Sequence, residues 1–317
     1  MKVLIADKFE QSGIDGLKAL GCEVLSEPEL KDDLLAARLK ELQVPVLIVR
    51  STKVTKEMIE GSGLSLIIRA GAGYNTIDVN AASANGVKVA NCPGKNAAAV
   101  AELAWGLIIA CDRKIPDNVS ELREGKWNKK GFGKAAGLRG KTLGLVGFGN
   151  IGQAMAEVAR AFGMQVLVYS RWLRDEDAAK FGVTRATDLA EIASKAEVIS
   201  VHSALSSDTK GMLDQAFFEQ VRPGVIFVNT ARAEIVDQAA LERAIESKGL
   251  KVGLDVFENE PATAEGSYEG TLKSNLKVYA THHIGASTDQ AQEAVASETV
   301  RIVEEFMRDG SVPNAVN

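Results

Sequence analysis

Two of the three histidines in the 317-residue chain, His282 and His283, stand side by side where an apolar run, Lys277 to Ala280, ends. Imidazole changes charge near neutral pH and exchanges a proton readily with an alcohol, which makes His283 the candidate general acid/base. Taken alone it reads more readily as a structural histidine. Arg232, at the end of Asn229-Thr-Ala-Arg232, and Glu260 change that balance. A guanidinium grips a carboxylate and polarises the carbonyl beside it, and a carboxylate orients an imidazole and favours its charged form. No Cys-x-x-Cys pair, His-Glu-x-x-His or other spaced ligand set occurs, so no metal is expected. The absence of a nucleophile elbow argues against acyl transfer.

The partner for such a trio is announced near the middle of the chain. Leu143 to Val146 is a short apolar run, and Gly147, Gly149 and Gly152 follow at the spacing of a dinucleotide-binding turn. Gln153 to Phe162 then carries Met155, Val158, Ala159 and Phe162 at helical spacing. One glycine makes the turn, one admits a pyrophosphate to the backbone, and one lets helix and strand pack closely. Amides at the helix start, Asn150 and Ile151 among them, then face the anion. The spacing alone also fits an ordinary glycine-rich turn, but Gln165 to Ser170 is a second apolar strand one βαβ length on. A dinucleotide with an Arg/Glu/His trio and no metal points to hydride transfer to a carbonyl beside a carboxylate.

The elements that must position these residues alternate along the whole chain. Lys2–Ala6, Cys22–Leu25, Val44–Val49, Leu64–Ile68 and Val87–Ala90 read as strands, with Ser12–Leu20, Leu30–Leu42, Thr55–Glu60 and Asp78–Asn85 as the helices between them. Such alternation predicts a parallel sheet covered on both faces. Arg50 and Arg69 follow two of these strands, where open α/β sheets collect ligands. Either alone is more readily a solvated surface arginine; the two together make a candidate anion site. Pro93–Asn96 reads as a domain crossing, Ala97–Arg113 as a long Ala-rich helix, and Thr288–Met307 as a final amphipathic one. Arg123–Lys134 is basic and aromatic, either a solvated loop or an anion-binding stretch. Beyond the glycine turn each strand ends in a polar residue: Ser170-Arg171, His202, Asn229-Thr230, Asp255, Thr281. Residues so placed would line one crevice with the dinucleotide at its floor.

Composition narrows the partners. A length of 317 residues suits about two domains, and 46% hydrophobic with 25% charged residues is ordinary globular usage. A net charge of −5 argues against non-specific binding to nucleic acid or an anionic membrane. Cys22, Cys92 and Cys111 are odd in number and set in apolar surroundings, as thiols of a reducing compartment would be. No signal h-region or membrane-length apolar run occurs, so a soluble cytoplasmic protein is expected.

With these residues in place the chain resembles the D-isomer-specific 2-hydroxyacid dehydrogenases, in particular their D-3-phosphoglycerate dehydrogenase branch. Matching stretches include Arg50-Ser-Thr-Lys-Val-Thr55, Arg69-Ala-Gly-Ala-Gly73, Ala101-Glu-Leu103, Gly125-Lys-Trp127, Gly140-Lys-Thr-Leu143 and Gly147 to Gly152. Asn229 to Asp237, Leu254-Asp-Val-Phe257, Glu260-Pro261 and His283-Ile-Gly-Ala-Ser-Thr288 complete the series in the family's order. The resemblance implies a Rossmann-type doubly wound domain, residues 97–285, inserted into a smaller flavodoxin-like substrate domain built from 1–96 and 286–317. It also implies a homodimer formed through the nucleotide domains. By position, Arg232 would hold the substrate carboxylate and carbonyl, His283 would be the acid/base, and Glu260 its partner. Amides around Ala72 and Gly73 would add to the carboxylate site, Asp255 would fix the nicotinamide, and Arg50 and Arg69 would take a substrate phosphate.

The expected reaction is therefore hydride exchange between NAD(P) and a D-2-hydroxy acid, with 3-phosphoglycerate/3-phosphohydroxypyruvate as the favoured pair. Ser170-Arg171 stands where an acidic residue would bond the adenosine ribose, which leans the cofactor toward NADP rather than NAD. Ala233 replaces a usual glycine and His282 a usual proline, both beside catalytic positions. The chain ends at Asn317, without the regulatory domains of longer relatives, so serine feedback is not expected. An NADPH-dependent hydroxypyruvate or glyoxylate reductase is the alternative enzyme. A dinucleotide-sensing binding protein with the same trio is the alternative outside enzymology.

Overall fold

The computed structural model describes residues 1–261 and 265–317, which divide into two compact units, Met1–Asn96 with Ala286–Asn317, and Ala97–Gly285. The first unit holds strands β1 (Lys2–Ile5), β2 (Glu23–Ser26), β3 (Val46–Val49), β4 (Leu66–Arg69) and β5 (Lys88–Asn91). All pair in parallel in the order β2-β1-β3-β4-β5. The order reverses between β1 and β3, so the crevice of a flavodoxin-like sheet falls at their carboxyl ends. Alternate residues serve opposite cores: Leu4 and Ala6 join one apolar cluster, Val3 and Ile5 the other. That is why these strands are apolar throughout instead of alternating with polar residues.

The two ends of the chain meet in this unit. Helix Asp289–Asp309, opened by the Thr288 hydroxyl accepting the Ala291 amide at 3.2 Å, packs along helix Gln11–Ala19. Buried Glu298 joins Lys95 at 3.2 Å to Arg301 and Asn314, and these partners, Arg301 foremost, hold its carboxyl down at about 2 despite burial. The terminal Asn317 side chain accepts the Val89 amide at 2.8 Å, and Ala315 bridges Ala90 antiparallel to β5.

The second unit holds β6 (Thr142–Val146), β7 (Gln165–Tyr169), β8 (Thr184–Arg185), β9 (Val198–Val201), β10 (Ile226–Asn229), β11 (Lys251–Leu254) and β12 (Val278–Ala280). Again every pair is parallel, in the order β12-β11-β10-β9-β6-β7-β8. This is the doubly wound Rossmann order, with its switch point between β6 and β9. Ile226 and Val228 serve one core and Phe227 the other, so this sheet too is covered on both faces. Helix Ala97–Arg113 lies against β10, β11 and helix Asn150–Ala161, with Trp105 stacked on Phe162 at 4.9 Å.

Two elements carry no expectation from the sequence. Lys114 takes φ +50 and breaks the long helix, after which Ile115–Arg123 forms a separate helix with no buried residue. Strand β8 is only two exposed residues, Thr184 and Arg185, and offers no apolar run to read. The basic stretch is a loop broken by one short helical turn, Lys129–Phe132. No helix among the described residues is long and apolar enough to cross a membrane, and none of their His, Cys, Asp and Glu side chains cluster as a metal site.

Candidate active site

The switch point of the second sheet is closed by backbone geometry that only glycine permits. Gly147 directly follows β6 at φ +103, and a Cβ there would stand 2.6 Å from the carbonyl carbon of His202, which directly follows β9. At Gly152 a Cβ would lie 2.5 Å from the Gly147 oxygen, which fixes how closely the helix approaches the strand. Around the Cβ direction of Gly149, at the helix N-cap, nothing lies within 4 Å. Asn150, exposed, and Ile151, half-buried, begin that helix. The turn thus offers open space beside amides that have no side-chain cap, a cradle of the kind a pyrophosphate fills.

Polar groups at the neighbouring strand ends fit the rest of a dinucleotide. Among the described residues, buried Nδ1 of His202 and buried Oγ1 of Thr230 have no hydrogen-bond partner. Buried polar atoms left in this way ordinarily meet a ligand or water. His202 shares a 2.8 Å hydrogen bond between Nε2 and Ser200 Oγ, and burial pushes its imidazole down to about 3, so it stays neutral. Ser170 is half-buried after β7, and the exposed Arg171 beside it forms an ion pair with Asp208 at 2.6 Å.

Asp255, 1% exposed at the end of β11, organises the histidine loop. Its Oδ1 accepts the Thr281 hydroxyl at 2.6 Å and the Ile284 amide at 2.8 Å, and Oδ2 accepts the Gly285 amide at 2.8 Å. His283 lies inside this clamp with φ +51, in a left-handed conformation uncommon for a residue with a side chain. Its Nδ1 meets Glu260 Oε2 at 2.6 Å, while Oε1 of Glu260 accepts the Phe257 amide at 2.8 Å. Burial works to raise the Glu260 carboxyl, but the bonds from His283 and Phe257 and the charges of His283 and Arg232 carry it below its ordinary value. The Asn229 side chain folds the turn before Arg232, accepting the Ala231 amide and donating to the Arg232 carbonyl, both at 2.9 Å. Arg232, Glu260 and His283 line one cavity of about 570 Å³, with Lys210, Glu234 and Asn259 also on its wall.

The substitutions at the two neighbouring positions sit easily. Ala233 opens a short 3-10 turn without positive φ, so no glycine is required there. His282 is exposed.

The remaining predicted residues lie in the first unit, along one edge of its sheet. Arg69 is the last residue of β4 and pairs in register with Val49, so Arg50 follows on the adjacent strand end. Gly71, at φ +148, leaves room for the Arg69 side chain, whose Nη1 would be 1.6 Å from a Cβ at that position. Half-buried Ala72 and Gly73 form the following turn, held where Asn91 donates to the Ala72 carbonyl at 2.6 Å. The Arg50 loop is fixed by Asp7, which the sequence reading did not single out. Its carboxylate accepts the Arg50, Ser51 and Thr52 amides at 2.6, 3.1 and 3.0 Å and the Ser51 hydroxyl at 3.0 Å. Asp7 stands two residues beyond the end of β1, so the strand-end rule that marks Arg50 also marks this acid. Lys210 and Asn259 sit in loops and Glu234 in the 3-10 turn Ala233–Ile235, none directly at a strand end, and they carry no comparable signal.

Comparison with known proteins places the chain among D-2-hydroxyacid dehydrogenases. The family model for the D-isomer specific 2-hydroxyacid dehydrogenase NAD binding domain matches residues 105–285. A hydroxypyruvate reductase of Thermotoga maritima is 44% identical over 281 residues, 88% of this chain and 89% of that one. A D-3-phosphoglycerate dehydrogenase of Methanocaldococcus jannaschii is 35% identical over the whole of this chain, which spans only 59% of that relative's length. The NAD+-bound 3-phosphoglycerate dehydrogenase of Entamoeba histolytica superposes with a TM-score of 0.83 at 29% identity, covering 100% of this chain and 98% of that one.

Proposed function

The chain belongs to the D-isomer-specific 2-hydroxyacid dehydrogenases, NAD(P)-dependent oxidoreductases, and we propose that it interconverts a D-2-hydroxy acid and its 2-oxo acid, favouring 3-phosphoglycerate and 3-phosphohydroxypyruvate. The observation that carries this reading is the cavity shared by Arg232, Glu260 and His283 in the same unit as the glycine turn. A reduced nicotinamide, when bound, supplies the hydride to C2. Arg232 binds the carboxylate of the 2-oxo acid and polarises its carbonyl. With Nδ1 turned to Glu260, the Nε2 of His283 is the nitrogen that holds the proton for the developing alkoxide. Its ring is 46% exposed, so solvent can restore the proton after each turnover. Gly147, Gly149, Gly152, Asn150 and Ile151 would hold the pyrophosphate, and His202, Thr230 and Asp255 would face the nicotinamide half.

Arg50 and Arg69 on neighbouring strand ends support a phosphorylated substrate, because each charge-assisted bond contributes roughly 1.5–3 kcal/mol. Ser170-Arg171 supports use of NADP(H). The kinship to a hydroxypyruvate reductase favours a second reading, reduction of the unphosphorylated acid. Comparing kcat/KM for 3-phosphohydroxypyruvate and hydroxypyruvate, each with NADH and NADPH, decides between them. The first reading predicts preference for the phosphorylated acid, and Arg50→Ala and Arg69→Ala variants that each lose about tenfold or more of it. Preference for hydroxypyruvate, untouched by either variant, would make the arginines structural and establish the second.

A further inference from the structure

Arg171 follows β7 by one residue past Ser170, and its guanidinium lies 5.7 Å from the centroid of the exposed Trp172 ring. Its Nη1 is 2.6 Å from Oδ2 of Asp208, which sits on the loop leaving β9. In the sheet β6 lies between β7 and β9, so the ion pair joins the strand ends on either side of the glycine turn. The hydrogen bond and charge of Arg171 hold the Asp208 carboxyl below its ordinary value, so it is a fixed negative charge at neutral pH. The guanidinium that would receive a 2′-phosphate already has an anion on it.

We propose that Asp208 is a specificity-determining residue, which competes for Arg171 and so weakens binding of an adenosine ribose carrying a 2′-phosphate. The inference rests on the dinucleotide reading given above. A 2′-phosphate brings a charge of about −1.5 to −2 at neutral pH. To reach Arg171 it must displace Asp208 or sit beside it. A bare ribose meets no such opposition, because its 2′-hydroxyl can donate to the same carboxylate. Ser170-Arg171 read alone does not show this acid, which is supplied from 37 residues downstream. Both side chains are about half exposed or more, so the opposition is modest and weakens with salt.

Titration calorimetry of NAD+ and NADP+ without substrate tests this on the wild type, Asp208→Asn, Arg171→Ala and the double variant. Asp208→Asn should tighten NADP+ about fivefold and change NAD+ by less than about twofold, with the gain absent in the Arg171→Ala background. An unchanged ratio of the two dissociation constants in Asp208→Asn, or a gain that persists without Arg171, would overturn the role of Asp208 while leaving the dinucleotide reading intact. Failure of the wild type to bind either nucleotide would overturn both.

Discussion

At His283 the chain accepts a left-handed backbone that costs on the order of 1 kcal/mol or more, and Asp255 holds it there through Thr281, Ile284 and Gly285. The result is an imidazole fixed at Nδ1 by Glu260, with Nε2 left for the substrate. Replacing Glu260 by Gln should lower kcat by about tenfold or more while leaving dinucleotide affinity unchanged, because both carboxylate oxygens are engaged by His283 and the Phe257 amide. The same variant has a pH signature. A carboxylate held below its ordinary value of 4.5 stabilises the fold fully above that pH and loses the contribution as pH falls through its lower folded value. The melting-temperature gap between wild type and Glu260→Gln should therefore be widest at neutral pH and close as the pH falls below 4.5. A gap that widens in acid would show that Glu260 is protonated in the folded protein.

The glycine turn works as an element: β6, the turn and helix Asn150–Ala161 are built as one piece around the backbone of His202. Gly147→Ala should cost about 1–3 kcal/mol, through both φ +103 and the 2.6 Å approach, and should abolish dinucleotide binding. Full-strength NAD+ or NADP+ binding by a folded Gly147→Ala variant would place the cofactor elsewhere. Much at this scale was legible in the sequence, because parallel strands buried on both faces must be apolar runs and their polar ends mark the crevice. Arg232, His283 and Asp255 could be picked out on that basis, whereas Glu260 emerged only beside them. What stayed hidden depends on tertiary contacts: β8, which has no core-facing run; the helix Ile115–Arg123, which buries no residue; and the Arg171–Asp208 pair, two exposed residues whose meeting only the sheet order reveals.

For the molecule as a whole, the helix Ile115–Arg123 leaves Ile115, Val119 and Leu122 exposed at helical spacing, by 45%, 39% and 55%. We propose that a second copy of the chain covers this apolar face, as the dimer that the resemblance implies would require. On that proposal sedimentation equilibrium should find the wild type dimeric and Leu122→Asp monomeric, with melting of the isolated chain changed little; a wild-type monomer would exclude that surface. The central claim, that this protein reduces 2-oxo acids with His283 as proton donor, is tested most directly on the His283→Ala variant. Its kcat/KM for the preferred acid should fall by about 10²–10⁴-fold, with the calorimetric affinity for the reduced dinucleotide held within about twofold of wild type. Turnover near the wild-type rate by that variant would contradict the account.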